Sequence, residues 1–156
     1  MDTFKDFTAD SKCWVFGFKN TPSIIEIENI SKNVDAYLQT WKSHGKEILS
    51  SHSISENRFL IIVAKGSSGC SIDSMRKEIS NILTNNNTEL SEFADVFWKN
   101  NNTINCSDRN EFARIVKEKQ ESIDFVYDLS LSTLQSLNQN GLSKNYQDSW
   151  AAKAFA

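Results

Sequence analysis

Two changes in residue type divide the sequence Phe59-Leu-Ile-Ile-Val-Ala-Lys-Gly-Ser-Ser-Gly-Cys-Ser-Ile-Asp73. Each change marks the boundary of a secondary-structure element. Residues 59–64 are a nearly continuous apolar run, which is typical of a central strand buried on both faces. Gly66 and Gly69 then predict a loop. Apolar side chains recur at helical spacing, at Ile72, Met75, Ile79 and Ile82. We therefore expect a helix over residues 71–84, and hence a strand–loop–helix junction, whose residues 66–73 are called the junction below.

The sequence on either side of the junction predicts further elements. The aromatic segment 13–18 predicts a first strand, and Thr21-Pro22 has the form of an N-cap followed by proline at the first helical position. An apolar stripe predicts a long helix over residues 22–43, closed by Gly45, with His44 as a cation near its C-terminus. Further strands are predicted at residues 47–55, 58–64, 95–99 and 103–106.

The predicted order is strand, helix, strand, strand, helix, strand, which is the order of a ferredoxin-like sandwich. We therefore expect an α+β fold whose core, residues 11–106, has one antiparallel sheet with two helices on one face and residues 59–64 in its interior. Residues 107–156 are expected to form a helical C-terminal extension that wraps this core. No linker or repeat divides the sequence, so residues 1–156 are expected to form a single domain.

Composition limits the classes of function. The net charge of −3 and the pI of about 5.4 argue against nucleic-acid binding, because such proteins normally carry a basic excess. The longest strongly apolar run, residues 59–64, is too short to span a membrane, and no secretory signal is visible. The three cysteines are an odd number without a C-x-x-C pair, so we expect free thiols in a cytoplasmic protein. No motif predicts a cofactor.

Three short blocks resemble a known family. They are Trp41-Lys-Ser-His-Gly45, Gly69-Cys-Ser-Ile-Asp-Ser74 and Asp148-Ser-Trp150. In this order and spacing they resemble a family of short uncharacterised bacterial proteins that often carry the label "ABC transporter ATPase". The resemblance touches most of the chain, and it implies no settled activity.

The junction lacks the residues that nucleotide hydrolysis needs. A phosphate-binding loop has the pattern Gly-x-x-x-x-Gly-Lys-Ser/Thr, whereas Gly66 and Gly69 are three residues apart and Cys70 stands where the lysine is needed. Lys65 lies on the other side of the loop. We therefore expect no specific ATP hydrolysis by the purified protein, and magnesium-dependent turnover that is lost on replacing Lys65 or Gly69 would contradict this.

Cys70 is the candidate nucleophile of the junction. Free amides at a helix N-terminus stabilise a thiolate, and His44 is the candidate base, with Asp73 orienting it. His52 is the other histidine that the fold could bring to the thiol. The simpler alternative is that Cys70 is a small buried residue and that Ser71 and Asp73 cap the helix.

Two other chemistries have weaker support in the sequence. Cys70 and Arg76 match the Cys-x5-Arg spacing of cysteine phosphatases, but no histidine precedes the cysteine, and Asp73 would place a carboxylate inside the anion cradle. A zinc site would need scattered cysteines and histidines to converge without paired spacing, so no metal site is predicted.

The first function hypothesis is a small cytoplasmic binding or accessory protein whose ligand or partner surface is the junction. The residues expected to form that surface are Gly66, Ser67, Ser68, Gly69, Ser71 and Trp150, the last through a tail anchored against the folded core. The ligand is expected to be a small anion or a protein partner of unknown identity. The alternative hypothesis is a thiol-dependent enzyme that uses Cys70 as nucleophile.

Overall fold

The computed structural model describes residues 2–156, which form an α+β fold with five α-helices, two main antiparallel sheets and a small two-stranded hairpin. The strands are β1 (Lys12–Gly17), β2 (Lys42–Ser43), β3 (Lys46–Glu47), β4 (Leu49–Ser55), β5 (Phe59–Lys65), β6 (Val96–Asn100), β7 (Thr103–Ser107), β8 (Phe125–Tyr127) and β9 (Ser143–Asn145). The helices are α1 (Ile24–Thr40), α2 (Gly69–Asn85), α3 (Arg109–Glu118), α4 (Leu134–Asn140) and α5 (Trp150–Ala154).

The central strand of the first sheet is β5, and the strand order is β1-β5-β4. It pairs antiparallel with both neighbours, with Lys12 opposite Ala64 and Leu49 opposite Lys65. Every residue from Phe59 to Ala64 is at most 1% exposed. The prediction that this apolar run forms an interior strand is therefore confirmed.

The two long helices lie on one face of the first sheet, as predicted. Inward residues of α1 and α2 form one apolar cluster with Leu60, Ile62 and Ala64 of β5. The opposite face of β5, formed by Ile61 and Val63, is covered by residues of α4 and by Phe4. Because alternate β5 side chains point to opposite faces, both faces need apolar cover, and the continuous apolar run supplies side chains for both.

Helix α1 begins and ends inside its predicted bounds. Ser23, and not Thr21, is the N-cap: its Oγ accepts from the Glu26 N–H at 3.2 Å, and the Glu26 carboxylate accepts from the Ser23 N–H at 2.8 Å. This reciprocal capping box fixes the start of the helix. The helix ends at Thr40 because Trp41 is extended, with φ −70° and ψ 126°.

The prediction that Gly45 closes α1 and that His44 lies at its C-terminus is wrong. His44 and Gly45 have φ of 52° and 79° and form the turn between β2 and β3. Two successive positive φ values are what a tight hairpin turn requires. A glycine after an apolar stripe is compatible with a helix end or with such a turn, so the local pattern did not distinguish them.

The second sheet has the order β7-β6-β8-β9. The predicted hairpin of residues 95–99 and 103–106 is confirmed as β6 and β7, with Asn101 and Asn102 at positive φ in the turn. The ferredoxin-like order is not confirmed, because β6 pairs with β8 and not with β1. The C-terminal extension is also not wholly helical, since it supplies β8 and β9.

The β1 edge that a fourth ferredoxin-like strand would occupy is covered by two loops. Phe18 forms an isolated bridge with Leu90, and the Ser91 N–H donates to the Gly17 carbonyl at 2.9 Å. At the other end of β1, the Cys13 N–H donates to the Ser132 carbonyl at 3.0 Å. Both ends of this edge are therefore paired with segments too short to form a strand.

The two sheets pack through an aromatic cluster. Phe59 of β5 contacts Phe97 of β6 and Tyr127 of β8, with ring centroids 5.1 and 4.6 Å apart. Gly17 permits this approach, because a Cβ at that position would lie 2.4 Å from the Phe97 ring. The close contact explains a glycine inside an otherwise aromatic strand.

Arg58 joins the two sheets through hydrogen bonds. Its guanidinium donates to the carbonyls of Phe18 and Lys19 beside β1, at 2.6 and 2.8 Å, and to the Ile104 carbonyl of β7 at 2.7 Å. The residue is 5% exposed and its guanidinium lies 5.6 Å from the Phe97 ring centroid. Burial lowers the pKa of Arg58. The carbonyls that it satisfies belong to segments that would otherwise end unpaired at the boundary between the sheets.

The described helices of this chain are all too short or too polar to cross a lipid bilayer.

Candidate functional site

The junction is an exposed turn that leads directly from the buried strand β5 into α2. Gly66 follows β5 with φ of 86°, a conformation that favours glycine. Ser68 is the N-cap and is extended, with φ −126° and ψ 169°. Gly69 and Cys70 are the first two helical residues and both are exposed. The predicted helix is confirmed, although it starts two residues earlier than expected.

A hydrogen-bond network joins the junction to the residues that follow α1. The indole N–H of buried Trp41 donates to the Ser71 carbonyl at 2.9 Å, and the Ser43 hydroxyl donates to the Ser68 hydroxyl, also at 2.9 Å. The Ser68 N–H donates to the Ser71 hydroxyl at 2.7 Å. These bonds connect the first turn of α2 to the strand segment that follows α1.

The structure therefore brings together two of the three sequence blocks. Trp41 and Ser43 belong to the first block, and Ser71 belongs to the second. Both Trp41 and Ser43 were named above only as members of the first block, with no role predicted for either. The signal that could have found both is their position in a block with His44, which was already a candidate residue.

The side of the junction that faces solvent is not covered by any other residue that the structure describes. A Cβ placed on Gly66 or Gly69 would meet no atom within 4 Å. Among residues 2–156, no backbone acceptor takes the N–H of Gly69 or Cys70, whereas the Ile72 N–H bonds to the Ser68 carbonyl. First-turn amides without a helical partner are the groups that bind anions or carbonyl oxygens at helix N-termini.

Cys70 is an exposed free thiol, so the alternative that it is a small buried residue is wrong. The other two cysteines differ from it, since Cys13 is buried and Cys106 is half-buried. Burial raises the pKa of each of these two thiols to about 11. Of the three cysteines, Cys70 is therefore the one whose position gives a reagent or substrate free access.

The other members of the predicted catalytic group lie in the β2–β3 turn, on β4 and on α2. His44 lies exposed in the β2–β3 turn and Asp73 lies exposed on α2, and no hydrogen bond joins either side chain to Cys70 in the described part of the chain. His52 is on β4, where its Nε2 is 3.0 Å from the Ser31 hydroxyl of α1. Burial lowers the pKa of His52, and the charge of Asp35 partly opposes this. The catalytic group of Cys70, His44 and Asp73 therefore stays a prediction.

Trp150 is anchored to the folded protein as predicted, but not beside the junction. Its indole N–H donates to the Tyr127 carbonyl at 3.1 Å, and its ring packs with Phe155 in the cluster beneath the second sheet. It lines a groove of about 290 Å³ together with Asp148 and Lys153. The prediction that Trp150 contributes to the junction surface has no contact that supports it.

Metal ligands do not cluster in the part of the chain that the structure describes: no group of three or more His, Cys, Asp or Glu side chains is arranged to hold an ion. Comparisons with protein-family models, with curated proteins and with solved structures found no match for this chain. The resemblance in the three sequence blocks therefore stays a prediction.

Proposed function

We propose that this chain is a small cytoplasmic binding protein that holds an anionic group of its ligand at the junction. The observation that carries the proposal is the pair of unbonded first-turn amides, Gly69 and Cys70, on a surface that is open at both Gly66 and Gly69. The ligand class is a small anion, or an anionic group on a partner protein.

The hydrogen bonds that Trp41 and Ser43 form with the junction support this proposal. Because Trp41 and Ser43 bond to the first turn of α2, the amides keep a fixed direction before any ligand arrives. Preorganised donors lose little conformational entropy on binding, which improves affinity. Lys65 precedes the loop and adds a positive charge, whereas Asp73, which follows the first turn of α2, opposes an anion. We therefore expect weak, millimolar binding of simple anions.

A titration of isotope-labelled protein with inorganic phosphate tests this proposal by NMR. We expect saturable shifts at the amides of Gly66, Gly69 and Cys70, with sulfate as a second anion and chloride at equal ionic strength as the blank. Failure of these amides to shift at tens of millimolar phosphate would contradict the proposal.

A pair of variants at one position supplies the matched control. Gly69→Pro removes one amide donor, and proline is well tolerated at the first helical position, with the preceding Ser68 already extended. Gly69→Ala keeps the donor and adds a Cβ in open space. We expect Gly69→Pro to weaken phosphate binding about tenfold, which corresponds to the loss of one hydrogen bond to a charged group, about 1.5 kcal/mol. Gly69→Ala should bind as the parent does.

The second candidate function is a thiol-dependent enzyme, which the exposure of Cys70 favours. Residue-by-residue alkylation, followed by mass spectrometry as pH is varied, tests it. Cys13 and Cys106 serve as internal controls, because burial keeps both thiols protonated near neutral pH. The enzyme hypothesis expects Cys70 to react fastest near neutral pH and to slow in His44→Ala. A Cys70 that alkylates like a free thiol, independently of His44, contradicts it.

The ferredoxin-like relationship is proposed for part of the fold only. Its support is the order β1, α1, β4, β5, α2 with both helices on one face, and the bridge between Phe18 and Leu90 at the position of a fourth strand. On this proposal, β6 corresponds to the fourth ferredoxin-like strand but pairs with β8 of the C-terminal extension instead of β1.

A further inference from the structure

Strand β4 is an edge strand. It pairs with β5 on one side, and within residues 2–156 no backbone hydrogen bond joins its other side to any segment. Residues 2–4 lie beside β4, with Phe4 packed against Ile61 and Val63 on the face away from α1, and they form no backbone hydrogen bond with this strand. An edge of this kind has a row of unpaired N–H and C=O groups.

The alternation of the antiparallel ladder identifies the unpaired groups. The Phe18 N–H donates to the Arg58 carbonyl, so the even-numbered residues of β5 bond to β1 and the odd-numbered residues bond to β4. The β4 partners of Ile61 and Val63 are Ser53 and Ser51. The backbone groups that point away from the sheet are therefore those of Ser50, His52 and Ile54.

This edge lacks the features that usually prevent strand pairing. Leu49-Ser-Ser-His-Ser-Ile-Ser55 contains no lysine, no proline and no glycine, and its seven residues form an uninterrupted ladder with β5. Charged residues, prolines, bulges and very short strands are the ordinary means of protecting an edge. The β4 edge is therefore open to an added strand.

A groove of about 350 Å³ continues from the N-terminal half of this edge. It is bounded by Leu38 of α1 and by Ile48, Leu49 and Ser50, and it carries two carboxylates, Asp35 and Glu47. The Asp35 carboxylate accepts only the Gln39 amide, at 3.2 Å, and neither acid has a cation within 4.0 Å in the described part of the chain. No basic side chain lines the groove, so its charge complements a cation.

We propose that the β4 edge binds an extended segment of a partner protein that adds to the first sheet as a fourth strand and places a lysine or arginine in this groove. The cation lies between Asp35 and Glu47, and the aliphatic part of the side chain lies against Leu38 and Ile48. Main-chain bonds to Ser50, His52 and Ile54 align the segment, as in other β-strand additions. This inference is independent of the function proposed for the junction.

The faces of β4 define the side-chain pattern of the partner. The side chains of Ser50, His52 and Ile54 point toward α1, since Ile54 packs in the helix-side cluster and His52 meets Ser31. In antiparallel pairing, a partner residue opposite Ser50 therefore directs its side chain into the groove, and one opposite Ile54 meets an apolar surface. The pattern is a β-branched apolar residue followed, four positions later, by a basic residue.

A synthetic peptide of sequence Thr-Val-Thr-Thr-Thr-Lys-Thr with blocked ends is the probe. Hydrogen exchange and chemical shifts of the β4 amides report its binding by NMR. In the free protein we expect fast exchange at Ser50, His52 and Ile54 and slow exchange at Ser51 and Ser53, which bond to β5. Saturating peptide should protect the first three amides.

Matched peptides and variants test both parts of the proposal. N-methylation of the peptide residue opposite His52 removes a ladder hydrogen bond and should abolish binding. The amide of the next peptide residue points away from β4, so N-methylation there should leave binding unchanged. Replacing the peptide lysine by glutamate should weaken binding about tenfold, and Glu47→Gln or Asp35→Asn should each weaken binding of the lysine peptide about two- to fivefold. Glu47→Lys should reverse the preference between the two peptides.

Three results would overturn the proposal. One is the absence of peptide binding at millimolar concentration. Another is binding that does not depend on which peptide amide is methylated or on the sign of the peptide charge. The third is protection of Ser50, His52 and Ile54 in the protein alone that increases with protein concentration, because this would assign the edge to a second copy of the chain.

Discussion

Neighbouring residues at the start of α2 have opposite environments. Ser71 is 6% exposed and bonds to Trp41 and Ser68, whereas Cys70 is exposed and its amide is unbonded. The sequence predicted a helix over residues 71–84, which placed Ser71 in its first turn and Cys70 just before it, whereas the helix begins at Gly69. Which of them faces inward depends on where the helix begins, and the serine-rich loop left that start uncertain by two residues.

The half-buried histidine of β4, His52, gives stability a pH dependence. Burial holds the pKa of His52 below its ordinary value of 6.5 in the folded protein, so the unfolded chain binds the proton more tightly. Stability is therefore fully present above the ordinary pKa and is lost as pH falls through the lower, folded pKa, with a slope of at most about 1.4 kcal/mol per pH unit.

Urea midpoints measured between about pH 5 and pH 8 test this prediction. We expect the parent protein to lose stability below about pH 6.5, and His52→Gln to lose less, because glutamine does not titrate. The exposed His44 supplies the control, and His44→Gln should keep the parent's slope. Parallel curves for the parent and His52→Gln would show that burial of this imidazole has no thermodynamic effect.

At the level of elements, the hydrophobic pattern was sufficient for seven elements before residue 107, within a few residues, namely β1, α1, β4, β5, α2, β6 and β7. It failed at the end of α1, where Gly45 serves a hairpin turn, and in the extension, where β8 and β9 have three residues each. Such short strands have no periodicity to detect. Their formation depends on pairing with β6 and with each other, which local sequence does not encode.

Two glycines on different elements predict opposite effects of one substitution. In Gly17→Ala the new Cβ of β1 would overlap the Phe97 ring of β6, so we expect a loss of about 1–3 kcal/mol in the free energy of unfolding. In Gly69→Ala the Cβ meets nothing within 4 Å on a helix, so we expect a gain of up to about 1 kcal/mol. Urea denaturation of both variants measures the difference, and equal midpoints would contradict the close contact between the sheets.

At the scale of the whole molecule, Arg58 is a buried residue whose role no sequence pattern predicts. It sits in a polar turn, where arginine is ordinarily exposed. Its burial follows from the packing of the second sheet against the first, which brings three carbonyls around one guanidinium. That packing involves β6 and β7 in a second sheet. The prediction of a single ferredoxin-like sheet contains no second sheet, so it could not predict the burial of Arg58.

Replacing this residue should weaken the whole fold. Arg58→Met keeps much of the side-chain volume but leaves three carbonyls without a donor, and we expect a loss of about 3 kcal/mol or more in the free energy of unfolding. The exposed Arg114→Ala should stay within about 0.5 kcal/mol of the parent. Tryptophans lie in both halves, Trp14 and Trp41 beside the first sheet and Trp98 and Trp150 beside the second, so fluorescence follows both. An unchanged Arg58→Met midpoint would contradict this role.

The two loops that cover the β1 edge have a consequence for the rate of folding. Gly17 meets Ser91 and Cys13 meets Ser132, so segments separated by roughly 70 and 120 positions must come together before this strand is satisfied on its outer side. Such distant closures are made late, after the local hairpins have formed, and chains rich in them refold in milliseconds to seconds rather than microseconds. Until then β1 has an open edge of its own, and the refolding chain passes through a stage in which aggregation competes with folding.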